Sequence, residues 1–161
     1  MRSKRTDFRV KALDKEQFTE YFNYSDTALS EIGARIIDVE SSPGYPCRVS
    51  LADAEIGERV LAINFVHHDV KSPYRSSGPV FVRQGAETAS LDTNEIPEML
   101  LKRMLSVRVY NANHIMINAQ VINGESPEEI LHGMFSDEQA EYIHIHNARP
   151  GCFNCSVLRA V

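Results

Sequence analysis

The sequence predicts an α+β fold, a single compact domain over residues 1–161 built mainly from antiparallel sheet with three to four short helices. Three observations predict it. Apolar runs are short, and many alternate with polar residues at the period of a half-buried strand. The helices marked by capping and turn residues are brief. No internal repeat, low-complexity tract or linker divides the chain.

Taken in order, Phe8 and Val10 alternate with polar neighbours as a strand should, and Asp14 then caps a short helix with Phe18, Tyr21 and Phe22 on its apolar face. Ser25 caps a second helix that buries Leu29 and Ile32. Gly33 stops it, because glycine reaches the left-handed conformation without steric cost. Strand ARIIDV (34–39) follows, and SSPGYPCR (41–48), with Pro43, Gly44 and Pro46 in four positions, must be a loop. ERVLAINFV (58–66) is the most hydrophobic run and reads as a central strand covered on both faces. HHDVKSPYRSSG (67–78) is a polar connection to strand PVFVR (79–83).

Pro97 suits the first turn of a helix over EMLLKRM (98–104). Val107 and Val109 begin a strand that turns at YNANH (110–114) into IMINAQVI (115–122), a hairpin ended by Asn123 and Gly124. Ser126 to Glu129 spells a capping box with Pro127 at the first helical position, opening PEEILHGMF (127–135). Strands EYIHIHN (141–147) and FNCSVLRA (153–160) close the chain.

Composition narrows the function classes. A chain of 161 residues buries roughly two thirds of its unfolded surface, so it needs no disulfide to fold. With 43% hydrophobic and 24% charged residues it reads as a soluble globular protein. No run approaches the roughly 18 apolar residues of a membrane span, and MRSKRTDFRV has charge without an apolar stretch after it. Neither membrane nor export is expected. The net charge is −5, with 17 basic residues scattered among 22 acidic ones, which disfavours nucleic acid as a partner. Three cysteines, Cys47, Cys152 and Cys155, are expected as reduced thiols in a cytoplasmic setting.

Chemistry concentrates in YIHIHNARPGCFNC (142–155). Strand alternation places Tyr142, His144 and His146 on one face and Ile143 and Ile145 on the other. Two readings compete. His144, His146, Cys152 and Cys155 could supply four tetrahedral ligands to zinc. Alternatively Cys152 is a nucleophile, favoured as thiolate by Arg149 or His146, with His146 as base and Asn147 orienting the imidazole. YRSSG (74–78) could cradle a carboxylate or phosphate with Arg75 and two hydroxyls, although it lacks the glycine spacing and lysine of a nucleotide-binding loop. His67 and Asp69 match the first two ligands of a non-heme iron site, with His114, His132, His144 or His146 as the third.

Together GYPCRVSL (44–51), SPYRSSGPVFVR (72–83) and HNARPGC (146–152) resemble a family of small bacterial proteins known as domain of unknown function 1203. The resemblance covers nearly the whole chain and comes with no assigned reaction, substrate or cofactor. It implies that Cys47, Arg48, His67, Tyr74, Arg75, Ser76, Ser77, His144, His146, Asn147, Pro150, Gly151 and Cys152 belong to the family pattern. Cys155 and Asp69 do not, which counts against both metal sets, so no metal ligand is expected.

The resulting expectation is a cleft at one end of the sheet that binds a small anionic molecule. Arg48, Tyr74, Arg75, Ser76, Ser77 and Asn147 would bind it, and Cys152, His146 and His144 would supply any catalysis. The alternative is a structural or interaction module, in which Arg48 and Arg75 pair with Asp53 or Asp38, the serines cap turns and the thiols stay buried.

Overall fold

The computed structural model describes residues 5–124 and 126–160. Among these residues eight strands form two antiparallel sheets. The larger has the order β1 (Phe8–Lys11), β8 (Phe153–Arg159), β7 (Tyr142–Asn147), β5 (Met104–Tyr110) and β6 (Met116–Asn123). The smaller runs β2 (Arg35–Asp38), β3 (Arg59–His68), β4 (Ser76–Arg83). Helices are α1 (Asp26–Glu31), α2 (Glu98–Leu101) and α3 (Pro127–Phe135), so the chain is mostly β with antiparallel pairing throughout the named strands.

Alternation decides which face of the larger sheet is core. Leu105, Val107 and Val109 of β5, Ile143 and Ile145 of β7, and Cys155 and Val157 of β8 are buried together beneath Leu131, Met134 and Phe135 of α3 and Met99 and Leu100 of α2. Each such side chain contributes about 1.5–3 kcal/mol on burial. The opposite face carries Ser106, Arg108 and Tyr110 across from His146, His144 and Tyr142. A second core holds the smaller sheet: Leu61, Ile63, Val80 and Val82 pack with Phe18, Leu29, Cys47 and Val49.

Several local expectations hold. Ser25 accepts a hydrogen bond from the Ala28 amide, and Gly33 follows α1 at φ 72°. The hairpin β5–β6, the helix over residues 127–135 and the strand of imidazoles form as read. Others shift. Ile32 is 45% exposed at the C-cap of α1, where only Leu29 is buried. Asp14 does cap, but the segment after it makes two 3-10 turns, Lys15–Gln17 and Thr19–Asn23. Pro97 is the N-cap of a helix of only four residues, since Met104 already belongs to β5. Ser126 makes no capping hydrogen bond. Its φ of −143° and ψ of 59° give it a cap backbone unlike the extended one of Ser25.

β4 begins at Ser76, three residues before the expected start, because His68 pairs with Ser76 beyond a register shift after Phe65. YRSSG is therefore largely strand. β3 is central in its sheet, yet Asn64 and Val66 are exposed, so its far half projects beyond the cover that buries Val60 and Leu61. That projection carries His67 and His68 over the larger sheet. Arg48 ties the sheets together: its amide donates to the Phe81 carbonyl of β4 and its Nε to the Phe153 carbonyl of β8. No helix among the described residues is long and apolar enough to cross a membrane.

Candidate functional site

Two groups of chemically capable side chains gather around β7 and β8, one on the polar face of the larger sheet and one at its end. On the face, His144 and His146 project from β7 as alternation requires, 6% and 2% exposed, and His67 arrives from β3. The His67 ring lies flat on Phe153, with centroids 5.1 Å apart and planes 4° apart, and edge-on to His146 at 5.1 Å. One ring nitrogen from each of the three histidines lies within 4.8 Å of the other two. Nδ1 of His67, Nδ1 of His144 and Nε2 of His146 are buried with no hydrogen-bond partner, whereas His146 Nδ1 meets the Gly151 carbonyl at 2.9 Å.

Burial, with the charge of His68 and other neighbours acting the same way, lowers His144 from 6.5 to about 3. Burial then His68 lowers His67 to about 4. His146 falls to about 4 by burial, against the opposing effect of its Gly151 hydrogen bond. All three imidazoles are neutral at pH 7 and can offer a lone pair. A buried polar atom left unpaired costs about 1–3 kcal/mol, so three in one cluster need a physical reason. Beside them His68 and His114 both bond the Tyr142 hydroxyl, at 2.5 and 2.9 Å. Burial, then Tyr110, pushes that phenol up to about 12.

At the sheet end, a cavity of about 750 Å³ opens between the starts or ends of β5 to β8, strand β4 and the Pro43–Pro46 loop. Cys152 and Asn147 line it, and its charged lining is Lys102, Arg103 and Arg149, without a carboxylate. Behind them Arg48 is fully buried, donating through Nε to Phe153 O at 2.8 Å, through Nη1 to Pro46 O, and through Nη2 to Cys152 Sγ at 3.0 Å. Asn147 Nδ2 approaches the same sulfur at 3.5 Å, and Asn154 donates to Asn147 at 2.9 Å. Burial lowers the Arg48 guanidinium below its ordinary value, and the adjacent Cys152 charge opposes that loss. Among the described residues no carboxylate pairs with Arg48, so the sulfur is its one partner able to carry negative charge.

The expected cleft is thus redistributed. Cys152, Arg48 and Asn147 do meet. His146 makes no hydrogen bond to Cys152 among the described residues: its Nδ1 is engaged by Gly151. Its ring shares a face with Phe153 and meets His67 edge-on, while His144 stands on the same face of β7. Arg75 lies at the tip of the β3–β4 hairpin, paired with exposed Asp69 at 3.2 Å. Phe81, to which Arg48 bonds, is six positions further on, roughly 20 Å along an extended chain. Ser76 donates to the Tyr74 carbonyl, Ser77 is exposed in β4, and Tyr74 offers that same carbonyl to His68, so YRSSG makes no cradle at the cavity.

The four-ligand zinc set is also split, because Cys155 pairs opposite Ile145 and is buried in the core, where burial pushes its thiol up to about 12. Asp69 stands apart from His67, which joins His144 and His146 instead. Asp53 is taken by Arg103 and Asp38 by Arg59, leaving neither to Arg48. Lys102 and Arg103 carry no local signal in the sequence that would place them at the cavity, whereas Arg149 stands three residues before Cys152.

The sequence profile of a family described as "Protein of unknown function (DUF1203)" matches residues 44–159. The chain belongs to this family. The DUF1203 match contains Arg48, His67, Lys102, the histidines of β7 and Cys152, and leaves β1, α1 and β2 outside it. No curated protein and no solved structure matches the chain.

Proposed function

We propose that the protein binds a small anionic ligand, a carboxylate or phosphate ester, in the cavity at the end of the larger sheet, above the thiol of Cys152. One observation carries this reading: in a chain of net charge −5, the charged lining of the cavity is entirely cationic. Arg103 is held by Asp53, but neither Lys102 nor Arg149 forms an ion pair among the described residues, so both are available to a ligand. A concave site with convergent cations concentrates anions against the field of the rest of the surface. Apolar walls from Pro46, Pro79 and Phe81 suit a ligand with a small hydrocarbon body.

The Arg48–Cys152 hydrogen bond supports a catalytic extension of the same reading. Arg48 Nη2 donates to Cys152 Sγ at 3.0 Å, no carboxylate holds that guanidinium among the described residues, and a cysteine sulfur is a nucleophile. In that extension Cys152 is the nucleophile candidate, its sulfur held by Arg48, and His146 has no part.

Competing alkylating reagents test the proposal. Iodoacetate and iodoacetamide place the same reactive carbon on an anion and on a neutral amide. In the native protein Cys152 should be the labelled cysteine, since Cys47 and Cys155 are buried. Iodoacetate should react faster than iodoacetamide there, inorganic phosphate should slow both saturably, and Lys102→Gln with Arg149→Gln should reverse the preference. Faster reaction with iodoacetamide in the wild type, unaffected by phosphate, would refute anion binding at this cavity.

A further inference from the structure

We infer that His67, His144 and His146 form a site for one divalent transition-metal ion, with zinc the best-fitting member of the class. The inference is independent of the anion-binding cavity, which uses none of these side chains. Tetrahedral ligands at 2.0–2.1 Å from zinc stand roughly 3.4 Å apart. The ring nitrogens already lie within 4.8 Å of one another, so closure needs a shift of about 1.4 Å or less between any pair.

The surroundings of the rings match what a ligating histidine needs. A metal-bound imidazole usually donates its second nitrogen to a carbonyl or carboxylate, which fixes the tautomer and aims the lone pair. His146 has this arrangement: Nδ1 meets the Gly151 carbonyl at 2.9 Å, and Nε2 is the buried, unpartnered atom. His67 is oriented by its stack on Phe153, and it too has an unpartnered buried nitrogen, as does His144. These three atoms are desolvated with no hydrogen-bond partner among the described residues. One ion among the three rings would engage one nitrogen of each.

Ligand chemistry selects the metal class. Three neutral nitrogen donors and no carboxylate disfavour calcium and magnesium, which require oxygen, and suit zinc, cobalt, nickel, copper or iron. Three protein ligands leave at least one coordination position open, as in catalytic rather than structural zinc sites. His67 is half-buried while the β7 pair is buried, so solvent reaches the cluster at His67. Because His67 comes from the smaller sheet and its partners from the larger, the ion would also clamp the two sheets together.

The test uses the full chain, stripped of metal with a chelator and dialysed. Cobalt(II) titration should saturate at one equivalent with the intense visible bands of a four-coordinate ion, and zinc should displace it. Bound zinc should raise the unfolding temperature. His67→Gln, at a half-buried position that tolerates an amide, should keep the wild-type far-ultraviolet circular dichroism and weaken cobalt binding at least about 100-fold, and His146→Gln should do the same. Cys152→Ser should leave the cobalt spectrum unchanged. Absence of one-equivalent binding, unchanged affinity in folded His67→Gln, or a sulfur-to-cobalt charge-transfer band in the wild type would each overturn the three-histidine site.

Discussion

Replacing Arg48 by lysine keeps the positive charge but removes the planar fork that reaches three acceptors on two segments. In the native protein Nε, Nη1 and Nη2 separately engage Phe153 O, Pro46 O and Cys152 Sγ. A lysine ammonium at the end of a flexible stem can hold one of these in place, so two charge-assisted hydrogen bonds are lost in a fully buried setting. At about 1.5–3 kcal/mol each, the loss is roughly 3–6 kcal/mol, a large share of the about 5–15 kcal/mol that stabilises a domain. With a urea slope of about 2 kcal/mol per molar, Arg48→Lys should lower the unfolding midpoint by at least about 1.5 M. Equilibrium urea unfolding followed by tyrosine fluorescence measures it. A midpoint within about 0.3 M of wild type, at unchanged slope, would refute the idea that this guanidinium braces the two sheets.

Acid should destabilise the fold through the neutral histidines. Their folded values lie below 6.5, so their contribution is complete above pH 6.5 and is lost as pH falls towards about 4 and 3. Between pH 6.5 and 5 protonation linkage at each of the buried pair His144 and His146 costs about 1.6 kcal/mol, so urea midpoints measured with chelator present should fall over that interval, and less steeply in His144→Gln. Equal slopes in the two proteins would show that His144 carries none of the acid sensitivity. Gly124→Ala should cost about 1–3 kcal/mol, because an added Cβ would collide with the backbone carbonyls of Leu100 and Arg103 where β6 ends against the turn after α2. Thermal unfolding of that variant at the wild-type temperature would show that the turn yields.

What could be read from the sequence was what depends on neighbours along the chain. Two-residue alternation separated His144 and His146 from Ile143 and Ile145, the Ser25 cap and the Gly33 stop follow from side-chain and backbone sterics, and hairpin β5–β6 is closed by its own turn. The site was less legible because it depends on which strands become neighbours. His67 reaches the β7 pair only because β3 overshoots its own sheet, and nothing near residue 67 encodes that destination. Arg48 was expected to face a ligand, yet it is enclosed because loop Pro43–Pro46 and the start of β8 close around it. Arg75, of the same residue type, stays at an exposed tip with Asp69. Cys152 and Cys155 looked like one pair in the sequence. The register shift between Ile145 and His146 leaves the first at the cavity and sends the second into the core.

The most direct measurement of anion binding at the sheet end is a crystal grown or soaked with selenate, whose selenium can be located by anomalous scattering. A peak is expected inside the cavity, within hydrogen-bond reach of Lys102 and Arg149 and beside Cys152. Selenate bound only elsewhere, for instance at Arg75, with that cavity unoccupied would contradict it.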